Sequence, residues 1–145
     1  MLVDLADSGS IPALAATLQF AAARQRLIAS NVANLSTPDY RQLDVSPGEF
    51  RARLDEAIQN RRRETGGAHG DLRFRASRSF GMTDRGQLQL NPHPISRGIL
   101  FHDRNNRDLE RLMQDQAENA ATFRVAGDLL RTRVDLLRSA ISERV

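Results

Sequence analysis

Near the start of the chain, mostly apolar residues recur at alternating intervals of three and four. This spacing places them on one stripe of a helix, which we call the seam, and is typical of a helix that buries that stripe against a partner. The seam consists of Ile11, Leu14, Leu18, Ala21, Gln25, Ile28, Val32 and Leu35, and Gln25 is its one polar member. Ser10 can cap this helix, Pro12 fits its first turn, and Pro38 follows its end. The pattern predicts a helix of about 24 residues, roughly 36 Å long.

The end of the chain repeats this spacing over a longer stretch. The seam there consists of Leu109, Met113, Gln116, Ala120, Phe123, Gly127, Leu130, Val134, Leu137 and Ile141. Asn105 or Asn106 can cap the helix, and Asp108 and Glu110 suit the positive end of its dipole. We expect a helix of about 36 residues, roughly 54 Å long.

One shorter helix is predicted between these two. Ser46 and Glu49 form an S-x-x-E capping box ahead of three apolar residues spaced by four: Phe50, Leu54 and Ile58. The pattern fades from residue 59 to residue 63. We interpret the three apolar residues as a docking face for a neighbouring subunit.

The rest of the middle segment, residues 41–107, carries weak signals. Leu72 with Phe74, and Leu88 with Leu90, alternate with polar residues and predict one or two short strands. So long a connection with little periodic structure is unusual inside a compact domain. We therefore expect this segment to be partly disordered, and either mobile in the monomer or ordered by a neighbouring molecule.

The predicted fold is mainly α, with the long N- and C-terminal helices forming a coiled-coil-like pair. Residues 1–40 and 108–145 would together make one structural domain, and residues 41–107 would connect them. A two-helix pair with alanines and a glycine in its seam gains little from apolar burial after the chain has been ordered. The helices are therefore expected to complete a bundle with other subunits.

The two glutamines in the seams admit two interpretations. Gln25 and Gln116 could face each other and fix the register of the helices, as buried polar residues do in coiled coils. Alternatively, each could lie at a hydrated edge of the seam.

Composition narrows the range of functions. The chain has 145 residues, 21 of them basic and all arginine, against 18 acidic residues, so its net charge is only +3. The excess lies in the middle segment, where 13 arginines face eight acids. The sequence contains no cysteine, which excludes disulfides and thiolate metal sites. Neither a cleavable secretory signal nor a membrane-spanning segment is expected.

An enzyme is the least favoured class. The only histidines are His69, His93 and His102, and no two of them share a helix face at metal-binding spacing. We expect no cofactor, no metal site and no catalytic residue.

Two binding functions remain as alternatives. Arg51, Arg53 and the run from Arg61 to Arg63 could contact nucleic-acid phosphates, although nearby acids indicate a solvated helix face. Binding to a membrane surface through the same segment is disfavoured by Asp55 and Glu56.

The stretch from Ala29 to Tyr40, ASNVANLSTPDY, resembles the N-terminal signature of bacterial flagellar axial proteins, the rod, hook and hook-associated family. That signature reads approximately A-N-N-[IL]-A-N-x-x-T-P-G-Y. The matching residues of the signature turn are Asn31, Val32, Ala33, Asn34, Thr37, Pro38 and Tyr40. Asp39 stands where the family has glycine, so a turn that needs a positive φ would force aspartate to adopt it.

The C-terminal part is similar to a short basal-body rod member of that family. The resemblance rests on Asp103, Asn105, Asn106, Asp108, Leu109 and Glu110, then on Glu118, Asn119, Phe123, Leu129, Leu130, Leu137, Ser139, Ala140 and Ile141. Arg104, Arg107 and Leu112 depart from the family pattern. The chain also lacks the bulky middle insertion of hook and filament members.

The resemblance implies a non-catalytic subunit of the proximal flagellar rod in the periplasm. Such subunits leave the cytoplasm through the type III export apparatus without signal cleavage. They associate with themselves, with other rod proteins and with the membrane ring and its adaptor, and the resemblance implies neither nucleic-acid nor direct lipid binding. Leu14, Leu18, Gln25, Ile28, Gln116, Phe123, Leu130, Val134, Leu137 and Ile141 would then pack the helical layer.

Overall fold

The computed structural model describes residues 9–67, 69–83, 87–95 and 109–142. The described chain is mainly helical, with a long helix at each end and short strands between them, as the sequence predicts. Its helices are α1 (Ile11–Ala33), α2 (Pro47–Thr65) and α3 (Leu109–Ser142). Its strands are β1 (Leu43–Asp44), β2 (Phe80–Met82), β3 (Leu88–Leu90) and β4 (His93–Pro94).

Helix α1 begins and ends close to the predicted positions. It has 23 residues, begins directly after Ser10 with Pro12 in its first turn, and ends before Asn34. The Ser10 side chain makes no capping hydrogen bond. Proline has no backbone N–H, and N–H groups in the first turn of a helix have no helical acceptor, so Pro12 fits this position.

Helix α3 has 34 residues in the described part of the chain and packs antiparallel against α1. Asn105, Asn106 and Asp108, the residues expected to begin this helix, lie outside the described residues, as do Asp103, Arg104 and Arg107. Within the described residues, the two long helices thus pack against each other.

The face that α3 turns toward α1 differs from the predicted seam in its first half. Leu112, Asn119 and Ala126 are buried, each one position before a predicted seam residue. Leu130 and Val134, further along, are half-buried as expected. A strict seven-residue repeat drifts by about 20° per heptad around a helix with 3.6 residues per turn. The predicted seam therefore rotates onto the contact face only near Leu130.

Helix α2 is longer than the sequence suggests and extends to Thr65. The Ser46 hydroxyl accepts a hydrogen bond from the Glu49 amide at 3.2 Å, as in the predicted capping box. Gly66 ends the helix with a left-handed φ of 71°.

The strands form two antiparallel pairs, β1 with β4 and β2 with β3. Leu88 and Leu90 lie in β3, as predicted, and Phe80 faces Leu90 across the pair. Leu72 and Phe74 lie in no strand, although both are half-buried.

The hydrophobic core lies between α1 and the middle segment. It contains Ala16, Phe20, Val45, Phe50 and Phe80, surrounded by partly buried Leu27, Leu54, Leu72, Phe74, Leu88 and Leu90. The rings of Phe50 and Phe20 are stacked with their centroids 4.1 Å apart. The rings of Phe50 and Phe80 meet edge to face with their centroids 5.7 Å apart. The described part of the middle segment thus contributes Val45, Phe50 and Phe80 to the core.

The expected docking face on α2 is also different in the structure. Phe50 is only 3 % exposed, and Leu54 packs against the same core. Phe50 and Leu54 therefore pack inside the chain. They contact a second apolar face of α1, formed by Ala16, Phe20 and Leu27, which lies outside the predicted seam.

A buried arginine connects both ends of the chain to the middle. Arg24 of α1 is 3 % exposed, and its Nε and Nη2 donate to the two carboxylate oxygens of Asp44 at 3.0 and 2.7 Å. Its Nη2 also donates to Asp115 of α3 at 2.9 Å. Burial alone would lower the pKa of Arg24, but the hydrogen bonds and charges of Asp44 and Asp115 outweigh it and raise that pKa. The guanidinium is therefore charged at every working pH.

We predict that Arg24→Leu lowers the free energy of unfolding by about 2–4 kcal/mol, because it leaves two carboxylates close together without their cation. The matched control is Arg53→Leu, which removes the half-exposed pair of Arg53 with Glu56 (2.9 Å) on one helix and should change stability by at most about 1 kcal/mol. Urea unfolding of both variants measures the difference. Equal losses in the two variants would contradict the central role of Arg24.

Candidate functional site

The signature turn follows α1 and is closed by its own hydrogen bonds. The Asn34 amide N–H donates to the Ser30 carbonyl at 3.1 Å, and its side-chain nitrogen donates to the same oxygen at 2.9 Å. The Thr37 N–H donates to the Asn34 carbonyl at 3.0 Å, and the Tyr40 N–H donates to the Thr37 carbonyl at 3.3 Å. Asn34 thus satisfies the Ser30 carbonyl at the end of the helix and begins the turn.

Asn31 attaches the last turn of α1 to β1. Its side chain is 1 % exposed, its Nδ2 donates to the Leu43 carbonyl at 2.8 Å, and its Oδ1 accepts from the Leu43 N–H at 3.1 Å. The Tyr40 hydroxyl also donates to this Oδ1, at 3.0 Å. The amide therefore pairs with both backbone groups of Leu43, as a neighbouring strand would. We call this arrangement of Asn31, Tyr40 and Leu43 the asparagine clamp.

The other signature residues surround the clamp. Val32 is half-buried and Ala33 is the last residue of α1, while Thr37 and Pro38 are exposed. The Thr37 hydroxyl lies 3.3 Å from the Asn34 side-chain oxygen. The structure therefore brings Asn31, Asn34, Thr37 and Tyr40 into one connected turn.

Asp39 has the backbone conformation that its position in the signature suggests. Its φ is 59°, and it is the only residue other than glycine with a positive φ in the described ranges. L-residues other than asparagine and aspartate adopt this region with difficulty, whereas glycine does so freely. The turn therefore places Asp39 in a conformation that glycine adopts without strain.

The predicted packing residues of α1 face the interior to different degrees. Ile28 is buried, and Leu14, Leu18 and Gln25 are half-buried. Gln25 does not meet Gln116, which is exposed. Instead, the Asn119 side chain donates both to the Gln25 Oε1 and to the Ala21 carbonyl, each at 2.9 Å. Sequence reasoning missed Asn119 as a packing residue because the strict heptad repeat selects Ala120.

The predicted packing residues of α3 divide into two groups. Leu130, Val134 and Leu137 are half-buried, whereas Phe123 and Ile141 are about half exposed. Several other apolar side chains of α3 are also exposed by 45 % or more: Leu109, Met113, Val125, Leu129 and Leu136. Exposed apolar area of this extent on one helix is typical of an interaction surface.

The arginines of the middle segment are partly engaged inside the chain. Arg61 is buried, its Nη1 donates to the Gly9 carbonyl at 2.8 Å, and its Nε donates to the His69 carbonyl at 3.3 Å. Arg53 pairs with Glu56. Of the five arginines suggested for phosphate contacts, the structure leaves Arg51, Arg62 and Arg63 exposed.

The histidines do not assemble into a site in the described ranges. The Nε2 of His93 lies 3.1 Å from the Arg78 carbonyl oxygen, and His102 lies outside the described residues. Over those ranges, no three histidine, aspartate or glutamate side chains are grouped so that they could hold a metal ion. None of the described helices combines the length and the apolar character needed to cross a bilayer.

The sequence matches no protein-family model and no curated protein. The signature turn and the exposed faces of α3 are therefore the features on which a functional interpretation rests.

We predict that Asn31→Leu lowers the free energy of unfolding by about 2–4 kcal/mol, because leucine leaves the buried N–H and C=O of Leu43 unpaired. The control is Asn60→Leu at an exposed position of α2, which should change stability by less than about 0.5 kcal/mol. Chemical denaturation measures both. If Asn31→Leu were as mild as its control, the clamp would not hold β1 to α1.

At position 39 we predict that glycine gives a more stable protein than alanine by about 1 kcal/mol, because only glycine adopts a positive φ without strain. The same pair of substitutions at Ser36, an exposed turn residue with ordinary φ, should favour alanine or show no difference. Thermal unfolding of the four variants measures the contrast. A preference for alanine at both positions would exclude strain at Asp39.

Proposed function

We propose that this chain is a non-catalytic structural subunit of the bacterial flagellar basal-body rod, similar to the proximal rod protein FlgB. The observation that carries the proposal is the asparagine clamp with its turn. Four of the seven residues that match the axial-protein signature, Asn31, Asn34, Thr37 and Tyr40, form the hydrogen bonds of this turn. Asp39, at the family's glycine position, has a positive φ. The hydrogen bonds of the turn therefore account for the residue types at these four positions.

The exposed apolar side chains of α3 support a role in assembly. A subunit that stayed monomeric would leave Leu129, Leu136 and Phe123 about half exposed, whereas packing against neighbours would bury them. In the proposed rod, α1 and α3 form a coiled-coil-like pair, and the rod sits in the periplasm next to the membrane ring.

The proposed partners are further copies of the chain, other rod proteins, the ring proteins and their adaptor. The proposal includes delivery by the type III export apparatus without signal cleavage. It includes no cofactor and no direct lipid contact.

A nucleic-acid-binding function has less support. Phosphate binding requires arginines that can leave their protein partners for the ligand. Arg61 is instead buried and donates to two backbone carbonyls, while Arg53 pairs with Glu56. These contacts give both side chains a structural role, so the exposed basic surface is smaller than the sequence suggests.

We predict that the double substitution Leu130→Asp with Val134→Asp abolishes rod assembly and swimming, because it places two charges between α1 and α3. The test is complementation of a strain that lacks the native gene, scored by motility and by purification of basal bodies. Immunoblotting establishes whether the variant is present at its normal level.

The matched control is Ala52→Asp with Gln59→Asp, which adds the same charge to exposed positions of α2, outside the contact of α1 with α3. This control should retain swimming. Swimming by the Leu130 and Val134 variant at a normal protein level would refute the packing role. Loss of swimming in both variants would show that the effect is not specific to the helix contact.

A further inference from the structure

Two apolar surfaces of α3 remain uncovered by the described residues, one on each flank of its contact with α1. The first, which we call the ridge, consists of Val125, Leu129 and Leu136, exposed by 51–59 %. The second, which we call the groove, lies between α1 and α3 and is lined by Ala21, Ala22, Ala120 and Phe123. At about 100° per residue, the ridge and the α3 wall of the groove are on roughly opposite sides of the helix.

The shapes of the two surfaces are complementary. The groove has a volume of about 360 Å³, and three of the seven side chains that line it are alanines, with Gln25, Asn119 and Arg124 completing the lining beside Phe123. Alanine leaves space that a larger side chain can enter. The ridge presents three branched side chains on one face of the helix, with Val125 and Leu129 one turn apart and Leu136 two turns further on. A branched side chain set into a hole made by small residues is the packing unit of associated helices.

The charges beside the two surfaces are also complementary. Arg124, Arg131 and Arg138 recur at intervals of seven along the groove side of α3, and Arg124 lines the groove itself. Asp128 and Asp135 form the adjacent row, nearer to the ridge. When a ridge enters the groove of a second copy in parallel orientation, the aspartate row of the first copy lies along the arginine row of the second. Such pairing fixes orientation more than it adds affinity.

We propose that the ridge of one copy docks into the groove of a second copy of this chain. The inference rests on the proposed function and specifies the surfaces through which the subunits meet. Because ridge and groove are different surfaces, each docked copy still has one of them free. A head-to-tail contact of this kind continues along a ring or a helical filament instead of closing as a two-fold dimer.

The absence of native cysteine permits a direct test on the full-length protein. Ala22→Cys places a thiol in the groove, and Leu129→Cys places one on the ridge. The two purified variants are treated with a short bis-maleimide, each alone and as an equal mixture, over a range of concentrations. The control mixture pairs Leu129→Cys with Gln59→Cys, an exposed position on α2.

We expect cross-linked dimer in the mixture at a yield several-fold above that of either variant alone and of the control mixture. Raising the salt concentration should lower this yield, since the arginine and aspartate rows are exposed. A yield from Leu129→Cys alone equal to that of the mixture would indicate a symmetric contact and overturn the proposal. Failure of the mixture to exceed the control would also overturn it.

The proposed function is tested separately in the same variants. Both single-cysteine proteins are introduced into the strain without the native gene and scored for swimming. Swimming without the mixed cross-link would reject the ridge and groove contact while leaving the rod function intact. A wild-type chain that fails to restore swimming would reject the rod function itself.

Discussion

Arg24 is the side chain on which the arrangement of the whole chain depends. A buried guanidinium requires carboxylate partners, and its planar fork donates hydrogen bonds to them only in fixed directions. One partner, Asp44, comes from the strand after the signature turn, and the other, Asp115, comes from the last helix. The three elements are therefore set relative to one another at a single point. The asparagine clamp reinforces this point, because Leu43 directly precedes Asp44.

The sequence predicted those features that depend on neighbouring residues. The end of α1, the capping role of Ser46 and the positive φ of Asp39 all follow from chemistry within a few positions. The face of α3 that contacts α1 was not predicted correctly, because a heptad repeat and a helix of 3.6 residues per turn differ in period. As a result, Asn119 lies at the contact where the seam predicted Ala120. The core was also missed. Phe20 faces away from the seam, and its partner Phe50 is distant in sequence, so no local pattern links them.

The described part of α3 meets a different environment on each of its sides. Leu112, Asn119 and Ala126 face α1, the flanks carry exposed apolar side chains, and the remaining side carries alternating rows of arginine and aspartate. A helix with one internal contact and two apolar flanks is suited to lie between neighbours. This distribution agrees with the small gain from apolar burial that the sequence predicts for the two long helices alone. Among the described residues, the hydrophobic core cluster lies between α1 and the middle segment, outside the contact of α1 with α3.

The position of that aromatic cluster has a consequence for the order in which the fold opens. Phe20, Phe50 and Phe80 hold α1 to the middle segment, whereas the buried apolar side chains that α3 contributes within the described residues are Leu112 and Ala126. Cooperative units with little buried apolar area separate first. Separation of α3 would leave the aromatic stack intact and remove Asp115 from Arg24, which would keep its two hydrogen bonds to Asp44. Loss of the α3 contact alone would therefore leave the aromatic core between α1 and the middle segment in place.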